Sequence, residues 1–222
     1  MSSEKKYKVF LVDDHAIVRE GLAKLINQEE DMEICGSADD APVALNMLFN
    51  IEPDIAIVDL SLASSDGLDL IKSIKARYPN VHILVLSMRE ELVFAERCVR
   101  AGASGYIMKS EKPTAIIDAM RKIIKGKIYF SDRMTEHVLN KAMNLKNCHD
   151  RDVVETLSDR EFQVFQLIGN GFASKQIAEN LNLSVKTIDA FRESMKHKLG
   201  LKSSAELTQF AIKWAHYQDI IS

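Results

Sequence analysis

Five short runs of β-branched and aliphatic residues, each followed by a stretch with helical spacing, fill the first 125 positions, and none recurs after residue 153. Strict alternation of this kind leaves few architectures open, because strands separated by a helix lie parallel and the sheet they form needs helices on both faces. The runs are KVFLVDD (8–14), a segment near 33–38, DIAIVDL (54–60), HILVLS (82–87) and GYIMK (105–109). Between them, Val18, Leu22, Leu25 and Ile26 make one apolar stripe, and further helices are predicted at 42–50, 68–77, 91–101 and 113–125. Pro53 and Pro79 punctuate strand entries, Gly102 and Gly126 close helices, and Pro113 opens one. The pattern predicts an α/β doubly wound, five-stranded parallel sheet.

Four of those strands end on polar residues: Asp13-Asp14, Asp59, Ser87 and Lys109. In an open doubly wound sheet, ligands bind outside the carboxyl ends of the strands. Three carboxylates gathered there repel one another, and a bound divalent cation offsets that repulsion. The spacing therefore predicts a pocket that takes a metal and then an anionic group.

From 153 onward the pattern changes to helices at 159–169, 174–181, 185–199 and 204–217. Ser158 and Glu161 have the spacing of a capping box. The short turn Asn182-Leu183-Ser184 joins two of the helices, with Ser184 as N-cap of the longer one. Residues 126–152 read as a linker, with a helical stretch at 131–145 and a polar tether, KNCHDRD, at 146–152. The expected domains are therefore 7–125, the linker 126–152, and an all-α four-helix domain at 153–222.

Composition narrows the function classes. The formal net charge is −3, so binding to nucleic acid has to come from a local patch. The three cysteines are widely spaced and odd in number, which fits reduced thiols better than a metal site or a disulfide framework. No uninterrupted apolar run approaches a membrane span, and the polar N-terminus MSSEKKYK has no signal-peptide character. No Walker A, G-x-G-x-x-G or zinc-ligand spacing is present. A cytoplasmic location with no membrane association is expected.

The segments VDDHAIVREGL, DIAIVDLSL, LVLS and ASGYIMK together resemble the receiver domain of bacterial two-component response regulators. That resemblance implies a flavodoxin-like fold and a chemistry. Asp59 is the phosphoacceptor, a nucleophile whose carboxylate becomes an acyl phosphate. Mg²⁺ is held directly by Asp14, Asp59 and the backbone carbonyl of Ser61, and by Asp13 either directly or through a water, in keeping with its preference for oxygen ligands. Lys109 brings a cation to the phosphoryl oxygens, where charge neutralisation matters more than acid–base help. Ser87 donates its hydroxyl to the same group, and Tyr106 is the aromatic that turns inward in response. Arg89 and Ser61 flank the pocket and tune the lifetime of the acyl phosphate. The loop SLASSDG (61–67) lacks the usual proline at 63 and the apolar residue at 65.

The segment 157–207 resembles the LuxR-type helix-turn-helix domain, and the two together resemble the NarL/FixJ class of response regulator. In that arrangement helix 185–199 enters the major groove. Val185, Ile188, Arg192, Met195 and Leu199 form its inward stripe. Lys186, Ala190, Glu193, Ser194 and His197 face outward, with Thr187 and Asp189 at the edges, and the N-cap Ser184 joins them as a DNA-binding candidate. Lys175 and Lys202 are expected on phosphates, which fix register without reading sequence. Four cations against two acids within 184–199 make only a modest basic stripe, so a dimer on a two half-site operator is expected to supply affinity.

The resemblance thus implies a transcription factor that accepts phosphate from a sensor histidine kinase and binds double-stranded DNA as a homodimer, with RNA polymerase as a further partner. It implies no enzyme activity beyond the receiver's own phosphorylation and dephosphorylation. The rivals are a phosphorylation-independent DNA-binding regulator of the same fold and a hydrolase built on the same sheet.

Overall fold

The computed structural model describes residues 6–62, 66–143, 153, 154 and 156–221, excepting the side chains of 141, 142 and 217–221. The tether 146–152 and loop positions 63–65 lie outside the described residues. Two compact units emerge, Met1–Ala142 and Met143–Ser222.

In the first unit, β1 (Tyr7–Val12), α1 (Ala16–Asn27), β2 (Met32–Ala38), α2 (Ala41–Leu48), β3 (Ile55–Val58), α3 (Gly67–Arg77), β4 (His82–Ser87), α4 (Glu91–Ala101), β5 (Gly105–Met108) and α5 (Pro113–Ile124) follow in alternation. The sheet order is β2-β1-β3-β4-β5, with every pair parallel. The order reverses between β1 and β3, and it is there that a doubly wound sheet opens its crevice. All four residues of β3 are buried, as a central strand covered on both faces requires. On one face Val9, Leu11, Ile57, Leu84, Leu86 and Ile107 pack against Leu22 and Ile26 of α1 and Ile116, Ile117, Met120 and Ile123 of α5. The helices α2, α3 and α4 contribute Leu48, Ile71, Ile74 and Cys98 to the buried set.

Helix ends follow local chemistry. Asp40 accepts from Val43 N–H and Asp66 from Leu68 N–H, each capping a helix that follows. Gly102 closes α4 at φ +107°, a left-handed conformation that a β-carbon would strain.

Beyond α5 the chain does not leave the sheet. Tyr129 forms a parallel bridge with Gly105, outside β5. A helix then follows, α6 (Asp132–Ala142), with Met134 fully buried, and it belongs to the first unit.

The second unit holds α7 (Asp159–Gly169), α8 (Ser174–Asn180), α9 (Val185–Leu199) and α10 (Ser204–Ile221). Phe162 and Phe165 pack on Trp214 with centroids 5.4 and 5.6 Å apart, both edge-to-face. Asn182, the turn residue between α8 and α9, adopts φ +53°, a conformation asparagine tolerates. Among the described residues, no helix is long and apolar enough to cross a membrane.

Candidate functional site

Register assembles the pocket. Val12 pairs with Val58, so Asp13 and Asp59 leave adjacent strands side by side, and Asp59 N–H donates to Val12 O at 2.8 Å. Ser87 closes β4, and Lys109 N–H donates to its carbonyl at 2.8 Å. Asp13, Asp59 and Ser87 are almost wholly buried, with Asp14 and Lys109 at the rim.

Lys109 Nζ lies 2.6 Å from Asp13 Oδ2 and 2.7 Å from Asp59 Oδ2. Burial pulls the ammonium's pKa down, but hydrogen bonds and charge from the two carboxylates outweigh it, and the net shift is upward. Asp59 Oδ1 accepts from Ser61 N–H at 3.1 Å, and Asp13 Oδ1 from His15 N–H at 2.8 Å. Arg19 reaches from α1 to donate to the Asp13 carbonyl.

Ligand atoms of Asp13, Asp14, His15 and Asp59 all fall within 4.8 Å of one another. The donor set is dominated by carboxylate oxygen, which suits a hard divalent cation. In the sequence His15 directly follows the Asp13-Asp14 pair, with nothing to suggest that it binds a metal. Its ring Nδ1 nevertheless lies 2.7 Å from Asp14 Oδ1, while most of its side chain is exposed.

Ser87, Arg89 and Tyr106 form a second cluster beside the pocket. Ser87 Oγ accepts from Arg89 N–H at 3.2 Å, and the Tyr106 hydroxyl donates to the Arg89 carbonyl at 2.7 Å. Arg89 Nε donates to Ser61 Oγ at 3.1 Å, and its guanidinium sits 4.9 Å from the Phe94 ring centroid. Tyr106 is 0% exposed. Burial drives its phenol pKa well up, nearby Cys98 adds to this, and a hydrogen bond with Ser87 opposes it.

In the second unit, Ser184 Oγ accepts from Thr187 N–H at 3.1 Å and so caps α9. Lys175, Ser184, Lys186, Asp189, Ala190, Glu193, His197 and Lys202 are exposed, with Thr187 half-buried. Glu193 pairs with Lys196 at 2.8 Å. Two residues depart from the expected faces. Val185, assigned to the inward stripe, is 43% exposed at the first position of α9. Ser194, assigned outward, turns toward α7 and donates to Glu161 Oε1 at 2.6 Å.

Glu161 is the residue whose reach the sequence understated. It completes the capping box with Ser158, as the S-x-x-E spacing predicts. It also receives Ser194 and, at 2.6 Å, Lys198 Nζ, so one buried carboxylate ties the start of α7 to α9. Burial pushes its pKa up, but the bonds from Lys198, Ser194 and Ser158 outweigh this and bring it to about 2.

The sequence pattern of the response regulator receiver domain matches residues 9–121, and that of the bacterial regulatory proteins of the luxR family matches 155–211. The chain is 35% identical over 210 residues to the oxygen regulatory protein NreC of Staphylococcus haemolyticus (strain JCSC1435), covering 93% of this chain and 97% of that protein. Among solved structures, RcsB from Salmonella enterica serovar Typhimurium, bound to promoter P1flhDC in the presence of the phosphomimetic BeF3−, shares 28% identity. Its TM-score is 0.67, with 93% of this chain and 98% of that chain covered. A LuxR-family two-component response regulator from Aurantimonas sp. SI85-9A1 shares 30% identity at a TM-score of 0.59, covering 63% of this chain and 99% of that one.

Proposed function

The chain belongs to the LuxR-type response regulators, and from that membership we propose that Asp59 is its phosphoacceptor and α9 its DNA-reading helix. It is a response regulator transcription factor. Its partners are a sensor histidine kinase, double-stranded DNA and a second copy of itself, the last two paralleling the DNA-bound RcsB structures. A cytoplasmic location fits this role. The receiver spans 7–125 and the DNA-binding domain 153–222, with 126–152 between them.

The observation that carries the reading is the Lys109 ammonium set between Asp13 and Asp59 at the ends of parallel strands. In phosphotransfer a carboxylate oxygen of Asp59 attacks phosphorus in line, a P–O bond forms, and the bond to the donor nitrogen breaks. Lys109 then faces phosphoryl oxygens. Asp13, Asp14, Asp59 and the Ser61 carbonyl are the residues that would hold Mg²⁺. That ion, when bound, neutralises charge on the transferring group. Ser87 lies next in the pocket and offers its hydroxyl to the new anion. Arg89 and Ser61, joined by a hydrogen bond, control how water reaches the acyl phosphate. No activity beyond phosphorylation and dephosphorylation of the receiver itself is proposed.

On DNA, Lys186, Thr187, Asp189, Ala190, Glu193 and His197 meet base edges or nearby phosphates. Ser184, Lys175 and Lys202 hold the backbone. Ser194 acts from behind, through Glu161.

Asp59→Asn tests the reading. Acetyl phosphate with Mg²⁺ is expected to add one phosphoryl mass to the wild type and to raise its DNA affinity, and to do neither to the variant. Equal binding by both proteins with and without the donor would overturn the mechanism in favour of a phosphorylation-independent regulator.

A further inference from the structure

The segment after α5 is held by the receiver at three points that converge on one corner of the fold. Tyr106 N–H donates to Tyr129 O at 3.0 Å, and Tyr129 N–H donates to Ser104 O at 3.1 Å, so residue 129 extends the sheet beyond β5. Gly105 leaves room for it: a β-carbon there would stand 2.9 Å from Tyr129 O and 3.0 Å from Tyr129 Cβ. Two residues on, Ser131 caps α6 by accepting from Met134 N–H at 3.1 Å.

The cap is itself gripped. Glu91, the first residue of α4, accepts from Ser131 N–H at 3.0 Å and from Ser131 Oγ. Glu91 is only 6% exposed, and this carboxylate has no role in the phosphoryl pocket. Beside it, Glu90 accepts from Arg133 at 3.1 Å, from the first turn of α6. The acids that hold α6 therefore directly follow Arg89, whose carbonyl receives the Tyr106 hydroxyl and whose N–H meets Ser87.

We propose that Glu91 is a latch fixing α6 to the receiver, and that burial of Tyr106 and closure of this latch are one event. It is transmitted through the consecutive residues Arg89, Glu90 and Glu91. Tyr106 acts on the linker twice, through its hydroxyl by way of that loop and through its backbone N–H on Tyr129. A change at Ser87 thereby reaches the segment that precedes the DNA-binding unit in sequence without crossing the core. The functional meaning of the latch rests on the reading of Asp59 and Tyr106 above, whereas its existence and its coupling do not.

The test is amide hydrogen exchange across 129–135 in the full-length chain, without any phosphodonor. Glu91→Ala is expected to speed exchange in this segment about tenfold, and Ser131→Ala to do the same while removing only a hydroxyl. Tyr106→Phe, which keeps the buried ring and loses the hydroxyl with its bonds to Arg89 and Ser87, is expected to speed it about fivefold. Exchange in α1 and β1 should stay at the wild-type rate in all three. If neither Glu91→Ala nor Ser131→Ala changes the segment, the latch is overturned. If they do but Tyr106→Phe does not, the coupling is overturned. Because no arm uses phosphate, failure of Asp59 to accept phosphate would appear separately, as absence of the phosphoryl mass.

Discussion

Gly67 lies directly against the backbone of Asp59: a β-carbon on Gly67 would stand 2.3 Å from the Asp59 carbonyl oxygen and 2.5 Å from Leu60 Cα. Both are backbone atoms, so neither can swing aside. Gly67 opens α3 and its N–H donates to Leu60 O at 3.3 Å, which ties the start of α3 to the end of β3. Gly67→Ala is expected to cost about 1–3 kcal/mol by overpacking and to displace Asp59 from Lys109. Urea unfolding reads the first effect and the rate of phosphorylation by acetyl phosphate the second. A variant with wild-type stability and rate would mean that the strand end yields freely.

Removing the Lys109 cation leaves Asp13 and Asp59 buried and facing each other. Lys109→Met is therefore expected to lower stability by about 3 kcal/mol near neutral pH, the scale for breaking a buried pair. Added Mg²⁺ should restore part of it, since an ion that binds only the folded state stabilises by mass action. The raised Lys109 pKa gives a further sign. Its contribution is complete below the ordinary value of 10.5 and fades as pH rises through the higher folded value. Thermal melts with and without MgCl₂ check this, and a Mg²⁺-insensitive variant of unchanged stability would contradict the geometry.

The sheet and its pocket were legible because each rests on local pattern. Strand-end residues Asp13, Asp59, Ser87 and Lys109 are fixed once alternation sets the strands and parallel pairing sets their register. Helix-turn-helix spacing was legible for the same reason, down to the Ser158–Glu161 box. Contacts between elements distant in sequence were not. No periodicity tells that Tyr129 extends the sheet or that Ser131 meets Glu91 forty residues earlier. Ser194 illustrates the limit within one helix. An angular count puts it outward, but a long-range partner, Glu161, draws it in. Gly67 looked like a loop glycine, and only the packing beneath Asp59 shows why a side chain has no room.

Glu161 makes the DNA-binding unit acid-sensitive in a defined window. A carboxylate whose pKa falls on folding stabilises fully above its unfolded value and loses that contribution as pH falls through the folded one. Here the window runs from 4.5 down to about 2. The shift corresponds to on the order of 3 kcal/mol. Trp214 is the chain's single tryptophan and packs on Phe162 and Phe165, so its fluorescence reports this unit alone. Glu161→Gln is expected to be less stable than wild type at pH 7 and to converge with it at pH 2. Parallel acid-unfolding curves, offset equally at every pH, would show that the bonds to Lys198 and Ser194 carry no charge-dependent energy.

On DNA, Lys175 and Asp189 are expected to fail in different ways. Lys175 is exposed on α8, outside the proposed reading helix, where a cation would meet phosphate without regard to sequence. Lys175→Ala should weaken binding to all duplexes alike and reduce the slope of log affinity against log salt by about 1. Asp189 is exposed on α9, and on the proposed reading face a carboxylate would repel phosphate but could accept from cytosine N4–H. Asp189→Ala should therefore strengthen binding to random duplex and flatten preference at one base pair of each half-site. Selection of binding sites from a randomised duplex pool, followed by titration over a range of salt, separates the two. If Lys175→Ala altered the selected sequence while Asp189→Ala left it unchanged, α9 would not be the element that reads the groove.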